Sequence, residues 1–320
     1  MRKLIGAATL LVLAATSAFA QTGMKMTIGT GVDPSLAQFY VAQAGGIFKK
    51  NGLTVDLKLG SSGSAMVPLL VNNQIQAALG AEQAGVQTHN LDPNNVVIVA
   101  ETMLGTRYQA IVGRDVADLN AMKGKRIGIA AGSASEVFWR ALLEKLKLDA
   151  KDYKIVNVES PEMLAGLERR DIDVVSSWEP WTTRILTGVP GTKVLTLNEG
   201  IFVIRDYIYL NKGWAEANPA ALKAFMLSMV EATKLLNEKP QEAAGYVAST
   251  LKLDPKFTAE LMTRVDFVLR LNPDALDHMK TIERQLADSG KLTKPIVWDK
   301  AFWSEPLAAA DPAAVVPMFK

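Results

Sequence analysis

The 320-residue chain contains no cysteine and only two histidines. Without cysteine there are no disulfides, no zinc–thiolate sites and no thiol nucleophile, so stability must come from a packed apolar core. The two histidines, His89 and His278, give no paired-imidazole metal spacing, and both are expected at solvated positions. An excess of charge of one sign is also missing. The 35 basic and 33 acidic residues are interspersed, which points away from nucleic acid and from an anionic membrane surface. Beyond the first twenty residues no apolar run is long enough to cross a bilayer. A nucleophile elbow is absent, and the Gly/Ser loops lack the lysine of a P-loop. No catalytic set, metal site or cofactor is therefore expected, and an enzyme would depend on carboxylates or an added group.

What is present starts at the N-terminus. Arg2 and Lys3 precede an apolar stretch from Leu4 to Ala15, and Ala18-Phe19-Ala20 places small residues two apart before Gln21. That is the pattern of a cleavable signal peptide over residues 1–20, and with no cysteine at the cleavage point a lipid anchor is not expected. Cleavage would remove two cations and bring the formal charge from +2 to zero. The remaining roughly 300 residues, with nearly half the composition apolar, suffice for a two-domain protein.

The chain then alternates strand and helix patterns. Met26–Gly29, Leu53–Leu59 and Ile75–Leu79 read as strands, with helices expected over Leu36–Asn51 and Ala65–Asn73. This is βαβ grammar, the signature of a parallel sheet covered on both faces. It occurs twice. Ile28-Gly29 before a helix with Phe39-Tyr40 is matched by Ile127-Gly128 before a helix with Phe138-Trp139. Met66, Leu70, Ile75, Ala77, Gly80 and Glu82 align without a gap on Met163, Leu167, Ile172, Val174, Ser177 and Glu179. Apolar periodicity alone does not place two glutamates identically after a strand, so the pattern predicts two similar α/β lobes. Runs at Val96–Ala100 with Thr106–Val112, and at Phe202–Leu210, are placed as hinge crossings. Lobe 1 is then residues 21–106 and 207–320, with helices over Ala220–Asn237, Gln241–Leu251 and Pro255–Leu271, and lobe 2 is residues 107–206. The tail from Lys291 reads as a surface wrap.

In open parallel sheets ligands sit beyond the carboxyl ends of the strands, at helix N-termini. The loops so placed carry Asp33 and Ser35, then Ser62, Gly63 and Ser64, then Gly80 to Glu82, and in lobe 2 Ser133 and Ser135. Glycine allows close backbone approach, while each serine either caps its helix, the commoner role, or meets a ligand oxygen. Trp178 and Glu179 should emerge at the end of the strand after Ile172, offering an aromatic face and an acceptor, whereas Trp181 suits core filling.

These strings together resemble the nitrate/sulfonate/taurine-type substrate-binding proteins of ABC importers. The resemblance rests on Gly60 to Ala65, Gln74 to Gly80, Leu119 to Gly132, and Asp171 to Pro180, in that order. It implies a periplasmic-binding-protein-like fold, two similar α/β lobes joined by two hinge strands, with a ligand closed between them. It also implies a membrane permease and a cytoplasmic ATPase as partners, periplasmic location and a monomer. Carried over, the ligand contacts fall near Val32 to Ser35, Ser62 to Ser64, Gly80 to Glu82, Ser133 to Ser135, Trp178 and Asp206. Glu82 departs from the small residues usual in anion-binding relatives. Carboxylates about 6 Å apart repel by about 3 kcal/mol at an effective dielectric near 20, so Glu82, Glu179 and Asp206 together favour an amine-bearing, zwitterionic or N–H-rich ligand. Arg107 and Arg205 stand near enough in sequence to neutralise these acids instead. The alternatives are a binder of a pyrimidine-type vitamin precursor, a sensor subunit, or an enzyme on the same fold; the cysteine-rich motif of the pyrimidine-precursor enzymes is absent.

Overall fold

The computed structural model describes residues 23–318, so the signal-peptide reading of residues 1–20 lies outside the described residues. Among the described residues eleven strands form two sheets. The first contains β1 (Met24–Gly31), β2 (Leu53–Gly60), β3 (Ala77–Ala81) and β4 (Val96–Gly105). The second is built from β5 (Gln109–Arg114), β6 (Arg126–Ile129), β7 (Lys154–Asn157), β8 (Val174–Trp178) and β9 (Thr192–Leu197). The chain then returns to the first sheet with β10 (Ile204–Asn211) and β11 (Val265–Arg270). The orders are β11-β4-β10-β3-β1-β2 and β7-β6-β8-β5-β9.

Each sheet contains the same parallel trio, β2-β1-β3 in one and β7-β6-β8 in the other, flanked by an antiparallel strand. The internal repeat holds at the level of register. Ile28 and Gly29 pair with Ala77 and Ala78, and their counterparts Ile127 and Gly128 pair with Val174 and Val175. Gly29 and Gly128 meet the same neighbour: a Cβ there would lie 2.8 Å from Cδ1 of Ile75 or 2.7 Å from Cδ1 of Ile172, the matched isoleucines. One large apolar core fills the first lobe and continues into the second, which also holds a smaller core of its own. In the first, Phe225 meets Phe39 edge-on and stacks on Phe48; in the second, Trp139 packs edge-on against Tyr153.

The chain passes between the sheets at residues 106–108 and 198–203. Asn198 staples the two passages together. Its Oδ1 accepts from the N–H groups of Tyr108 and Gln109 at 3.0 and 2.9 Å, and its Nδ2 donates to the carbonyls of Gly105 and Phe202 at 2.9 and 2.8 Å.

Several elements differ from the sequence expectation. The helix expected over Leu36–Asn51 breaks at Gly45-Gly46, where Gly46 adopts a φ of +70°, leaving helices at Ala37–Ala44 and Ile47–Lys50. The next helix is reduced to Gly63–Met66 and a 3-10 turn at Val67–Leu70, because Pro68 cannot donate to a continuing helix. The helix from Pro255 stops at Met262, and β11 pairs with the edge of β4 through an alternation of buried Val265 and Phe267 about exposed Asp266. The tail is more than a surface wrap: Ala301 and Leu307 are fully buried against the first lobe. Neither histidine is solvated as expected. His89 is buried with Nδ1 2.6 Å from the Val96 carbonyl, and burial lowers its pKa; Nε2 of the half-buried His278 lies 3.7 Å from Oε1 of Glu82.

Candidate functional site

A narrow, nearly closed cavity lies between the lobes at the carboxyl ends of the strands. From the first lobe it is lined by Asp33, Leu36, Ser62, Gly63 and Ser64, together with Gly80, Ala81, Ile204 and Asp206. The second lobe contributes Ser133, Ala134 and Trp178. Seven of the residues expected from the sequence therefore converge: Asp33, Ser62, Gly63, Ser64, Ser133, Trp178 and Asp206.

The floor is set by glycine. A Cβ on Gly63 would stand 2.5 Å from the Leu79 carbonyl oxygen and 2.8 Å from Cα of Gly80, so the loop 62–64 lies directly on the end of β3. The serines mostly cap helices. Ser62 Oγ accepts from Ala65 N–H at 3.2 Å and Ser133 Oγ from Ser135 N–H at 3.1 Å. Ser35 and Ser135 do not line the cavity; Ser35 donates to Oδ2 of Asp206 at 3.2 Å, and Ser135 Oγ accepts from Ala130 N–H at 3.1 Å.

Two acids face the cavity. Oδ1 of Asp33 accepts from Ser35 N–H at 2.8 Å and from the Tyr108 hydroxyl at 2.6 Å. Burial pushes its carboxyl up to about 6, against the hydrogen bonds from Tyr108 and Ser35 that pull it down. Burial, then the charges of Asp33 and Glu82, raises Asp206 well above the usual carboxylate range. Among the described residues no basic side chain lines the cavity.

Of the two arginines weighed as alternative partners of these acids, neither has its side chain on them, although Glu179 is paired by another arginine, Arg264. Successive residues on a strand point to opposite faces, so Arg205 turns away from Asp206 and pairs with Glu101 at 2.8 Å and Asp274 at 2.9 Å. Arg107 pairs with Glu199 at the surface, 3.7 Å away. Glu82 and Glu179 were expected in the cleft, and neither lines the cavity. Glu82 is fully buried behind Asp206, with Oε2 3.4 Å from the Arg205 N–H. Glu179 accepts from Thr183 N–H at 3.1 Å and from Arg264 at 2.7 Å. Sequence reasoning missed Tyr108, Asn198 and Arg264, whose roles come from contacts distant along the chain. Among the described residues no group of three or more His, Asp or Glu side chains is placed to hold a metal ion.

The arrangement offers two buried acceptors on one wall, the N-terminus of the Ala134–Leu146 helix opposite, and an indole beside them. It can hold a small molecule with a cationic end among the acids and a polar or anionic end toward backbone donors.

The family model described as "NMT1/THI5 like" matches residues 33–243. The taurine-binding periplasmic protein of Escherichia coli (strain K12) is 28% identical over 232 residues, covering 70% of this chain and 70% of that protein. The alkanesulfonate-binding protein SsuA from Xanthomonas axonopodis pv. citri, solved bound to MOPS, superposes with a TM-score of 0.76 at 15% identity, over 88% of this chain and 98% of that one. The desulfurization enzyme DSZB shares the fold at a TM-score of 0.69 and 17% identity, covering 91% of this chain and 99% of that one. With the family match spanning well over half of its length, the chain belongs to the NMT1/THI5-like family.

Proposed function

We propose that this chain is the solute-capturing component of an ABC importer, and that its solute is a small amine-bearing molecule, best fitted by a zwitterion of the taurine type. The observation that carries the reading is the pair Asp33 and Asp206, buried at the cavity wall with no basic residue in the lining. A simple anion placed there would meet both acids as they ionise, whereas an ammonium group would supply the missing counter-charge. The E. coli relative is named for taurine, which joins an ammonium to a sulfonate. Residues 109–197, which carry the second sheet, then act as the lobe that closes on the remainder of the chain, the sequence-based limit at 206 being too late because β10 from Ile204 belongs to the first sheet. Delivery to a membrane permease with a cytoplasmic ATPase follows the same reading, as do periplasmic location after cleavage of residues 1–20 and a monomeric state.

The likeness to DSZB means that the fold also carries catalysis in other chains. Here the cavity lining contains neither cysteine nor histidine, and binding without turnover accounts for its acids.

A thermal-shift and calorimetry panel on residues 21–320 tests the proposal, using taurine, amino acids, polyamines, unaminated alkanesulfonates, nitrate and pyrimidines. A ligand at a hundred times its dissociation constant adds about 2.7 kcal/mol of stability. The expected result is a clear shift with an amine-bearing compound and none with its unaminated counterpart. Tight binding of nitrate or of an unaminated sulfonate, or measurable turnover of a bound compound, would overturn it.

A further inference from the structure

The two elements that the second lobe presents to the cavity are each gripped by a cation from the part of the chain that follows β10. Trp178 lines the cavity, and its neighbour Glu179 is held by Nη1 of Arg264 at 2.7 Å. On the neighbouring element, Ser133 and Ala134 line the cavity, and Glu136 is held by Nζ of Lys291 at 2.5 and 2.6 Å. Glu136 is joined to the cavity loop itself, since its Oε2 accepts from Gly132 N–H at 2.8 Å. The Gly132 carbonyl in turn accepts from Nε2 of Gln83, in the first lobe, at 2.9 Å.

These pairs differ from ordinary surface ion pairs. The Glu179 and Glu136 side chains are only 6% and 15% exposed, so screening by water is much reduced. Burial opposes ionisation of Glu136, yet Gly132 N–H, Lys291 and Arg140 hold its carboxyl down at about 2. Neither Arg264 nor Lys291 lines the cavity. Both pairs span the lobes, so both must break when the lobes separate.

We propose that Arg264 and Lys291 are positioning residues that latch the closed form, acting on ligand release through Glu179 and Glu136 without touching the ligand. The idea rests on the capture reading, because it concerns the closing of the lobes over a solute. Two latches on neighbouring elements of the second lobe, one after β6 and one after β8, resist opening together. They shift the open–closed balance, so they govern the dissociation rate more than the association rate.

The chain has no cysteine, so one pair of spin labels can be introduced cleanly. Lys58→Cys and Lys154→Cys place labels at exposed positions on β2 and β7, the outer strands of the two sheets. Inter-label distances would be measured by pulsed electron resonance with and without taurine, alongside taurine dissociation by stopped flow. In the Arg264→Gln/Lys291→Met variant the short-distance population should fall and taurine should leave about tenfold faster at low salt, with association little changed. Arg264→Lys/Lys291→Arg should restore most of the closed population, a rescue that a purely structural role would not produce. Glu179→Gln/Arg264→Gln/Lys291→Met, which leaves no buried Glu179 charge unpaired, covers the case in which the first variant folds poorly. A wild-type chain without a short-distance population, or variants whose distributions superimpose on it, would overturn the latch. The capture reading fails separately, when no amine in the thermal-shift panel stabilises the wild type.

Discussion

The Tyr108 hydroxyl donates a 2.6 Å hydrogen bond to Oδ1 of Asp33, tying the first passage between the lobes to the acid at the cavity wall. Both groups are buried, and the bond favours the ionised carboxylate that an ammonium ligand needs. Tyr108→Phe should therefore lift Asp33 above its value of about 6 and weaken amine binding about tenfold at about pH 7, with partial recovery as pH rises. Isothermal titration across pH reads this directly. Equal affinities for the two proteins at every pH would mean that Asp33 does not meet the ligand.

The ligand-free chain should lose stability as pH rises through the range of these acids. Asp33 titrates at about 6 when folded against 3.8 for an unperturbed aspartate, so the folded state binds the extra proton between those values. Stability falls wherever the folded state holds more protons than the unfolded one. The contribution is fully present below the unfolded pKa and is lost as pH passes the folded one, amounting to about 3 kcal/mol for Asp33 alone. Asp206 is shifted the same way. Urea melts from acid to neutral pH should show this slope, and Asp33→Asn should flatten it. A bound amine should reverse it, because the cation favours the ionised forms.

Asn198 makes four hydrogen bonds to the two interlobe passages while fully buried. Alanine there strands two backbone N–H groups and two carbonyls, each costing about 1–3 kcal/mol if it stays dry. Asn198→Ala should destabilise the chain by about 3 kcal/mol or more in denaturant melts, while Asn198→Asp keeps the acceptor to Tyr108 and Gln109 and loses the donor side. A change under about 0.5 kcal/mol for alanine would show that the passages do not depend on this staple.

The repeat and the cavity-lining loops were legible because they are local. Strand ends, glycines and helix caps announce themselves within a few residues, and matched Ile28/Ile127 and Ala77/Val174 fixed the correspondence of the lobes. What the sequence could not reveal is which distant group meets which acid. Glu179 meets Arg264 across 85 residues and Glu136 meets Lys291 across 155, both contacts set by the packing of the later chain on the earlier lobes. Adjacency left the partner of Arg205 open: beside Asp206 in sequence, it lies on the opposite face of β10 and pairs with Glu101. The strand at Val265–Arg270 was hidden by the helix leading into it, although buried Val265 and Phe267 flank exposed Asp266 with strand spacing.

Two glycine substitutions should separate cavity geometry from general stability. Alanine at Gly63 puts its Cβ 2.5 Å from the Leu79 oxygen and 2.8 Å from Gly80 Cα, and both are backbone atoms that cannot swing aside. The loop carrying Ser62 and Ser64 must then lift off β3, at a cost of about 1–3 kcal/mol, and displace the cavity floor. Gly124 has open space around its missing Cβ but a φ of +77°, so alanine there costs about 1–2 kcal/mol through backbone strain alone, well away from the cavity lining. Both variants should melt earlier, yet only Gly63→Ala should lose ligand affinity, by at least about tenfold. Calorimetry on the pair decides it. Retained affinity in Gly63→Ala would place the ligand away from the 62–64 loop, whereas equal loss in Gly124→Ala would trace the effect to overall stability rather than to the floor of the site.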